Sequence, residues 1–286
     1  MEERKLYRYR YVVESEFEPA ICQHFFKVRA VPCQNAAQRL VEQRLTILPT
    51  DSRWRASTDG FGNVVHYGSC CAVHDRWQMV SEGVAECRPY GLVESEPSAI
   101  YFFPTRLTRW DDALRHWAEW HASRCKLQPL PAERQSTLML QLVRKRRVKS
   151  LLAEGLMHAV HRYLRYQRSV TDNATSALDV FRLKCGVCQD YAHLMIAACR
   201  SIGLRARYVN GLVVGEGETH AWVEVYDGWQ WRGFDPTRDC VICFGYLKLA
   251  HGRDVSDCPS NRGQIFGLTT EHQHVSVVME EIGMRN

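Results

Sequence analysis

Short segments in which polar and apolar residues alternate follow one another through residues 5–85. Val, Ile, Tyr and Phe recur in "LYRYRYVVE", "HFFKVRAVP", "VVHYGSCCAVH" and "WQMVSEGVAEC", and Pro, Asp, Gly or Asn separates them. This period of two is typical of strands with one buried face, and the Asp59-Gly60 pair is a hairpin-turn signal. Strands at this spacing, without helices between them, predict an N-terminal antiparallel β-sandwich. We assign this domain to residues 1–90.

The apolar pattern then changes to a helical period. The segment "TRWDDALRHWAEWHASRC" at 108–125 starts with a plausible N-cap threonine, and helical patterns return at 136–149 and 150–166. The segment "KLQPLPAERQST" at 126–137 contains two prolines and is typical of a linker. We therefore predict a helical connecting region over residues 91–150.

The last part of the chain combines one long helix with several strands. The run "CQDYAHLMIAACR" predicts a helix from Cys188 to residue 201, and Gly203 ends it. The segments "RARYVNGLVVG", "THAWVEVYD", "WQWRGFDPT" and "HVSVVMEEIG" then predict antiparallel strands. A helix packed against such strands gives an α+β fold. We predict one α+β core over residues 151–286.

Composition restricts the class of protein. The chain has 286 residues, 45% hydrophobic and 24% charged, as in globular proteins. It contains no apolar run near the ~18–20 residues of a transmembrane helix, and its N-terminus lacks the apolar region of a secretory signal. We therefore expect a cytoplasmic protein without a membrane partner, in which most of the twelve cysteines are free thiols.

Part of the net charge of +5 lies in "RKRRVK" at 144–149. A basic run of this kind is usually a solvated helix face or loop when it stands beside amphipathic segments. No groove-reading motif accompanies it. We therefore expect no nucleic-acid partner.

One cysteine, one histidine and one aspartate have the spacing of a nucleophilic site. Cys188 starts a helix, where free N–H groups and the helix dipole favour a thiolate and can receive an oxyanion. A hairpin turn at Asp227-Gly228 would place His220 directly opposite Asp235, with the Cβ atoms of such a pair ~4.5–5.5 Å apart. A thiol, a base and a carboxylate that orients the base form the machinery of acyl transfer. We predict these roles for Cys188, His220 and Asp235.

Two Cys-x-x-Cys pairs allow other interpretations. Cys185 and Cys188, together with Cys240 and Cys243, could supply four zinc ligands, although the pairs lie much farther apart than the ~15–20 residues of a compact zinc ribbon. A redox dithiol at Cys185 and Cys188 would lack the preceding strand pattern of thioredoxins. Cys185 could also form a resting disulfide that protects the nucleophile from further oxidation. We predict no metal and no cofactor and leave the roles of Cys185, Cys240 and Cys243 open.

Three further features surround the predicted nucleophile. His193 lies within the helix, five residues after Cys188, and we expect a position on the helix face or in the core. Asp190 is in the first helical turn, where its charge suits the helix dipole. The loop "GLVVGEGET" at 211–219 is expected to form a mobile wall of the substrate pocket.

Several of these segments resemble a known family. "GVCQDYAHLMIAACRSIGLRARYVNG", "THAWVEVY" and "WRGFDPTRD" resemble the transglutaminase-like superfamily, in particular its bacterial and archaeal members, as do "GRDVSDCPSNRGQIFG" and the "DGFGN" of the N-terminal β region. The resemblance implies a papain-like thiol fold with a Cys–His–Asp triad on Cys188, His220 and Asp235. It covers most of the chain and is weakest across 86–150. Cys185 and the "CVIC" at 240–243 depart from the family pattern.

The expected reaction is acyl transfer through a thioester, most simply hydrolysis of a peptide or protein amide by a cysteine protease or amidase. Transfer to an amine, as in protein-glutamine transamidation, is an alternative. A binding or assembly protein that keeps the fold without catalysis is an alternative of another class. The backbone N–H of Cys188 and either Gln189 or Tyr166 would receive the oxyanion, and the choice of Tyr166 rests on the resemblance. The resemblance implies no calcium requirement.

Overall fold

A computed structural model of the chain describes residues 3–94, 97–125 and 138–285, and it describes the side chains of all of these except 138–144 and 285. The predicted linker at 126–137 lies outside the described residues.

The N-terminal residues form strands, as their alternating pattern predicts. In the first strand Tyr7, Tyr9 and Tyr11 are buried, whereas Arg8 and Arg10 between them are exposed. The pleat of a strand sends successive side chains to opposite faces, so the tyrosines enter the core. The strands of this region are β1 (Arg4–Ile21), β2 (His24–Val28), β3 (Gln38–Leu48), β4 (Arg53–Thr58), β5 (Val64–Cys70) and β6 (His74–Cys87).

The middle of the chain contains the helices. The helices predicted at 136–149 and 150–166 are one continuous helix, because Ser150 between them neither caps nor breaks the turn. The first helix has its N-cap at Asp111, three residues after the predicted Thr108. None of the described helices is long and apolar enough to cross a bilayer. The elements are β7 (Leu92–Val93), a 3₁₀ turn (Ala99–Phe102), α1 (Asp112–Ser123), α2 (Leu138–Tyr163), β8 (Arg165–Tyr166), α3 (Ala177–Leu183), β9 (Cys185–Gly186) and α4 (Cys188–Ser201).

The core sheet lies against α4. Its strand order is β14-β13-β12-β10-β15, and β7 is added on β13. Residues of α4 and of these strands share one hydrophobic cluster, in which Leu194, Ile196 and Val223 are fully buried. The helix on an antiparallel sheet is the predicted α+β arrangement. The strands are β10 (Ala206–Val213), β11 (Gly215–Gly217), β12 (His220–Tyr226), β13 (Gln230–Asp235), β14 (Cys240–Val241) and β15 (Tyr246–Gly252).

The last two strands join the N-terminal strands. β16 (Asn261–Ile265) pairs with β2, and β17 (Thr270–Arg285) pairs with β1 from Glu18 to Arg4. The resulting sheets have the orders β11-β17-β1-β6-β3 and β16-β2-β5-β4. The sequence prediction instead kept residues 151–286 together in one core. Alternation of polar and apolar residues identifies a strand, but it does not specify which strand pairs with it.

The predicted pocket wall at 211–219 is largely strand. β10 ends at Val213, and β11 then pairs with Val277–Met279 of β17. Gly215 and Gly217 have φ values of 119° and 159°. The wall is therefore hydrogen-bonded to the N-terminal sheet, where the sequence suggested a mobile loop.

Close packing around Gly211 gives a test of this arrangement. Gly211 lies on β10 opposite His220, and a Cβ atom there would lie 2.3 Å from the Trp222 ring and 2.4 Å from the carbonyl oxygen of Leu247. A backbone oxygen cannot move cheaply, so Gly211→Ala should lower the free energy of unfolding by about 1–3 kcal/mol in urea titrations. The control is Gly60→Ala, where no atom lies within 4 Å of the new Cβ. Equal stabilities for the two variants would contradict the packing.

Candidate active site

The start of α4 holds Cys188 in place through a buried carboxylate. Oδ2 of Asp190 accepts hydrogen bonds from the backbone N–H of Val187 at 2.7 Å and from the Thr171 hydroxyl at 2.6 Å. Burial raises the pKa of Asp190 above its ordinary value, although these two bonds oppose the rise. Besides suiting the helix dipole, Asp190 links the loop that contains Thr171 to the start of α4.

His220 and Asp235 are in contact. The Nε2 atom of His220 lies 2.7 Å from Oδ2 of Asp235. The ladder between their strands pairs Val223 with Phe234. Continuing this register places Asp235 opposite Trp222, so His220 is its diagonal neighbour on the same face. Diagonal side chains remain within reach of each other when they are long.

The predicted direct opposition of His220 and Asp235 was wrong because the turn is centred one residue later. The backbone N–H of Asp227 donates to the carbonyl of Gln230 at 3.1 Å, so Gly228 and Trp229 form the two-residue loop. The residue opposite Asp235 is therefore Trp222, which lies two positions along β12 from the predicted His220. A displacement of two residues keeps the side chain on the same face, so the contact survives.

Asp235 is completely buried and fully hydrogen-bonded. Its Oδ1 accepts from the backbone N–H groups of Thr237 at 2.9 Å and Arg238 at 3.1 Å. Its Oδ2 accepts from His220 and from the Tyr246 hydroxyl, the latter also at 2.7 Å. Burial would raise the pKa of Asp235, but these hydrogen bonds and the charge of His220 lower it below the ordinary value. The carboxylate is therefore ionised beside the imidazole.

His220 interacts electrostatically with both of its predicted partners. Burial alone would lower its pKa, but hydrogen bonds with Asp235 and Cys188 and the charges of these groups raise it to about 9. Because Nε2 faces Asp235, the other ring nitrogen is the one available to the sulfur of Cys188. The structure thus brings the three predicted residues together, with Cys188 and His220 at the wall of one cleft and Asp235 behind the imidazole.

Tyr246 is the residue of this site that the sequence did not reveal. It lies on β15 and donates to Asp235, and the Trp222 ring packs edge-on against it with the centroids 5.3 Å apart. The Tyr246 hydroxyl is also 3.5 Å from Sγ of Cys240. Burial raises the pKa of Tyr246 far above its ordinary value, so the hydroxyl keeps its proton and remains a donor. The sequence around Tyr246 shows only the strand pattern of "YLKLA", and that pattern does not indicate a contact with Asp235.

Cys188 and His220 open onto a cleft of about 430 Å³. The exposed side chain of Tyr166 lines it, whereas Gln189 is half-buried and is not among the lining residues. Two charged residues of the lining form an ion pair, in which Nη1 of Arg168 lies 3.3 Å from Oε1 of Glu218. The remaining lining residues are Val187, Val213, Val214, Glu216, Gly217, Thr219, Arg238 and Val277.

The other sulfur atoms form neither a metal site nor a disulfide in the described residues. All twelve cysteines there are free, including Cys185 in β9. No group of three or more His, Cys, Asp or Glu residues within 3–94, 97–125 and 138–285 has the geometry to hold a metal ion. The two Cys-x-x-Cys pairs therefore do not meet as a four-thiolate set.

His193 has the core position expected for it. It is fully buried, and its Nε2 accepts from the backbone N–H of Val255 at 3.3 Å. Burial lowers its pKa to about 4, so the ring is neutral and serves packing. Of the two positions expected for His193, the helix face or the core, the structure has the core.

The sequence and the fold both have known relatives. Residues 137–236 match the transglutaminase-like superfamily, and residues 7–86 match the bacterial transglutaminase-like N-terminal region. An uncharacterized protein of Mycobacterium leprae is 31% identical over 267 residues, which cover 88% of this chain and 89% of that protein. The chain belongs to the transglutaminase-like superfamily.

Two further comparisons extend over nearly the whole chain. An uncharacterized protein of Mycobacterium tuberculosis is 27% identical over 301 residues, covering 96% of this chain and 92% of that protein. The crystal structure of a candidate cysteine protease from Cytophaga hutchinsonii matches with a TM-score of 0.74 at 19% identity, covering 98% of this chain and 91% of the other. The predicted transglutaminase-like α+β fold is thereby confirmed.

The pKa of His220 predicts how stability depends on pH. The folded value of about 9 lies above the ordinary 6.5, so the stabilisation is complete below about pH 6.5 and is lost as the pH rises through 9. The difference in unfolding free energy between the wild type and His220→Gln should therefore shrink by about 3 kcal/mol between about pH 6 and pH 10. Urea titrations at several pH values measure it, and a difference that does not change with pH would contradict the charged imidazole.

The contact between Cys188 and His220 predicts selective alkylation. Iodoacetamide at about pH 6–7 should modify Cys188 at least about tenfold faster than the exposed Cys71 and Cys243, because a neighbouring histidine can accept the proton of an attacking thiol. Peptide mapping by mass spectrometry measures each rate. His220→Ala should remove the advantage, and Tyr246→Phe should reduce it. Uniformly slow labelling in the wild type would refute the activation of Cys188 by His220.

Proposed function

We propose that the protein is a thiol-dependent acyl-transfer enzyme that hydrolyses a peptide or amide bond through a Cys188–His220–Asp235 triad. The observation that supports it most strongly is the imidazole of His220, which is hydrogen-bonded to Asp235 and lines the same open cleft as Cys188. A nucleophile, a base and an orienting carboxylate in one line are the functional groups that acyl transfer requires.

In the proposed first half-reaction, the sulfur of Cys188 attacks the carbonyl carbon of the amide. A C–S bond forms, and the carbonyl oxygen takes up the negative charge. His220 then gives its proton to the amide nitrogen, the C–N bond breaks, and the amine leaves a thioester on Cys188. Asp235 keeps Nε2 of His220 engaged, which leaves the other ring nitrogen directed at the sulfur and the substrate.

The oxyanion would be received at the start of α4. The first N–H groups of a helix lack partners within the helix. The Asp190 carboxylate accepts a hydrogen bond from the N–H of Val187 but not from that of Cys188. The backbone N–H of Cys188 is thus suited to hold the oxyanion. Of the two predicted helpers, Tyr166 lines the cleft and Gln189 does not, which favours Tyr166 as the second donor.

In the second half-reaction, His220 takes a proton from water, the hydroxide attacks the thioester carbon, and Cys188 leaves as a thiolate. Hydrolysis is the favoured outcome because water is abundant in an open cleft and because the relative from Cytophaga hutchinsonii is a candidate cysteine protease. Transfer to a primary amine is the second candidate. The cytoplasmic location and the lack of nucleic-acid and membrane partners are retained as parts of this proposal.

A peptide-amide library with and without a primary amine such as putrescine tests the proposal. Mass spectrometry should show acid products in both cases, and Asp235→Asn should lower the rate at least about hundredfold because it disturbs the histidine. Amine adducts as the main product would instead indicate transamidation. No turnover, with Cys188→Ala identical to the wild type, would favour a non-catalytic binding or assembly role.

A further inference from the structure

A second cavity lies between α2 and the β13 hairpin, away from the cleft. Its volume is about 420 Å³, within the range of small-molecule sites. It shares no lining residue with the cleft. The residues that line it are Arg146, Arg147, Ser150, Leu151 and Glu154 of α2 with Asp227, Arg232, Phe234 and Val241 of the β13 hairpin and β14.

The cavity carries an excess of positive charge. Oδ1 of Asp227 is occupied, since it accepts from the backbone N–H groups of Trp229 at 2.9 Å and Gln230 at 3.0 Å and lies 3.7 Å from Nε of Arg146. Within the described side chains, neither Arg147 nor Arg232 has a carboxylate partner. Two guanidinium groups are therefore available to an anion.

Two buried polar atoms of lining residues lack a hydrogen-bond partner, although one of them, Nε of Arg146, has the longer ion contact with Asp227. In the described part of the chain, neither Oγ of Ser150 nor Nε of Arg146 makes a hydrogen bond, although both atoms are inaccessible to solvent. A buried donor without an acceptor is unfavourable, and such groups are rare in folded proteins. An oxygen-rich anion in the cavity would supply the missing acceptors.

One wall of the cavity is apolar. Leu151, Phe234 and Val241 line it, and the half-exposed ring of Trp229 lies beside it with the Arg146 guanidinium 5.4 Å from its centroid. The volume is larger than one phosphate group needs, so the apolar wall has room for an organic part of the ligand.

We infer that this cavity binds a small phosphorylated organic molecule. Arginine forks bind phosphate oxygens through paired, charge-assisted hydrogen bonds, and the Ser150 hydroxyl adds a further donor. Glu154 is the one lining carboxylate outside the turn, and it lies 4.0 Å from His158. The basic run at 144–149, which the predicted reaction does not use, supplies two of the three arginines.

The cavity lies behind the strand that carries the triad aspartate. Arg232 and Phe234 are on β13, and Asp235 is the next residue along it. Alternation along a strand directs Phe234 and Asp235 to opposite faces. The phosphate cavity and the cleft are therefore separate sites on the two faces of one strand.

Calorimetric titration with phenyl phosphate, inorganic phosphate and benzoate, at constant ionic strength, tests the inference in the full chain. Phenyl phosphate should bind most tightly, because it uses both the arginines and the apolar wall. Arg232→Gln and Arg147→Gln should each weaken its binding at least about tenfold, and Ser150→Ala should weaken it a few-fold. Arg262→Gln changes an exposed arginine of β16 outside the cavity and should leave the affinity unchanged.

Three outcomes would overturn the inference. One is equal loss of affinity in Arg262→Gln and Arg232→Gln, which would indicate general charge attraction. Another is equal binding of benzoate and phenyl phosphate. The third is binding of a single-stranded oligonucleotide without binding of phenyl phosphate, which would point to a nucleic-acid surface. Thermal unfolding of each free variant verifies folding, and the exposed Arg147 provides a variant that leaves the packing intact.

Discussion

The backbone pairing of β10 on both of its edges determines where the residues of the candidate active site lie. One edge pairs with β12, which carries His220, and the other with β15, which carries Tyr246. All eight residues of β10 are buried, so the strand is fixed by packing on both faces as well as by its hydrogen bonds. Asp235 reaches the same place through β13, and α4 packs on the sheet to bring Cys188 to its edge.

A buried ionic group supports this sheet from within. Glu224 on β12 is completely buried and accepts from Nζ of Lys248 at 2.7 Å and 3.0 Å and from Nε of Arg207. Tyr90 also donates to Glu224 at 2.5 Å and in turn accepts from the indole N–H of Trp222 at 2.9 Å. Trp222 packs against Tyr246, so a chain of contacts runs from the ionic group to Asp235. Since removing one partner would leave a buried charge, the members of such a group depend on one another.

The sequence revealed those parts of the site that short segments encode. A helix start at Cys188 and a hairpin between His220 and Asp235 each depend on a few neighbouring residues, and both were predicted. The register was wrong because the turn residue cannot be located to one position from an Asp-Gly pair alone. The contact between His220 and Asp235 was still predicted correctly, because a register error of two residues leaves both side chains on the same face of the sheet. Their catalytic roles remain predictions.

The parts that the sequence did not reveal depend on pairing between distant segments. Tyr246 reaches Asp235 only because β15 lies beside β10, and no local pattern specifies that neighbour. The same holds for β17, whose alternation predicts a strand equally well in either sheet. The capping role of Asp190 was partly visible, but its bond with Thr171 requires the loop between β8 and α3 to fold back over the helix start.

The pairing of β1 with β17 has a consequence for how the chain is made. Residues Arg4 and Arg285 are partners in this ladder, so β1 meets this neighbour only after the roughly 250 residues between the two strands have been synthesised. Until then one edge of β1 offers unpaired N–H and C=O groups to other chains. Contacts between such distant residues also slow folding. The N-terminal sheet therefore closes only after β17 has been synthesised, and the edge of β1 is the segment that a chaperone would have most reason to cover.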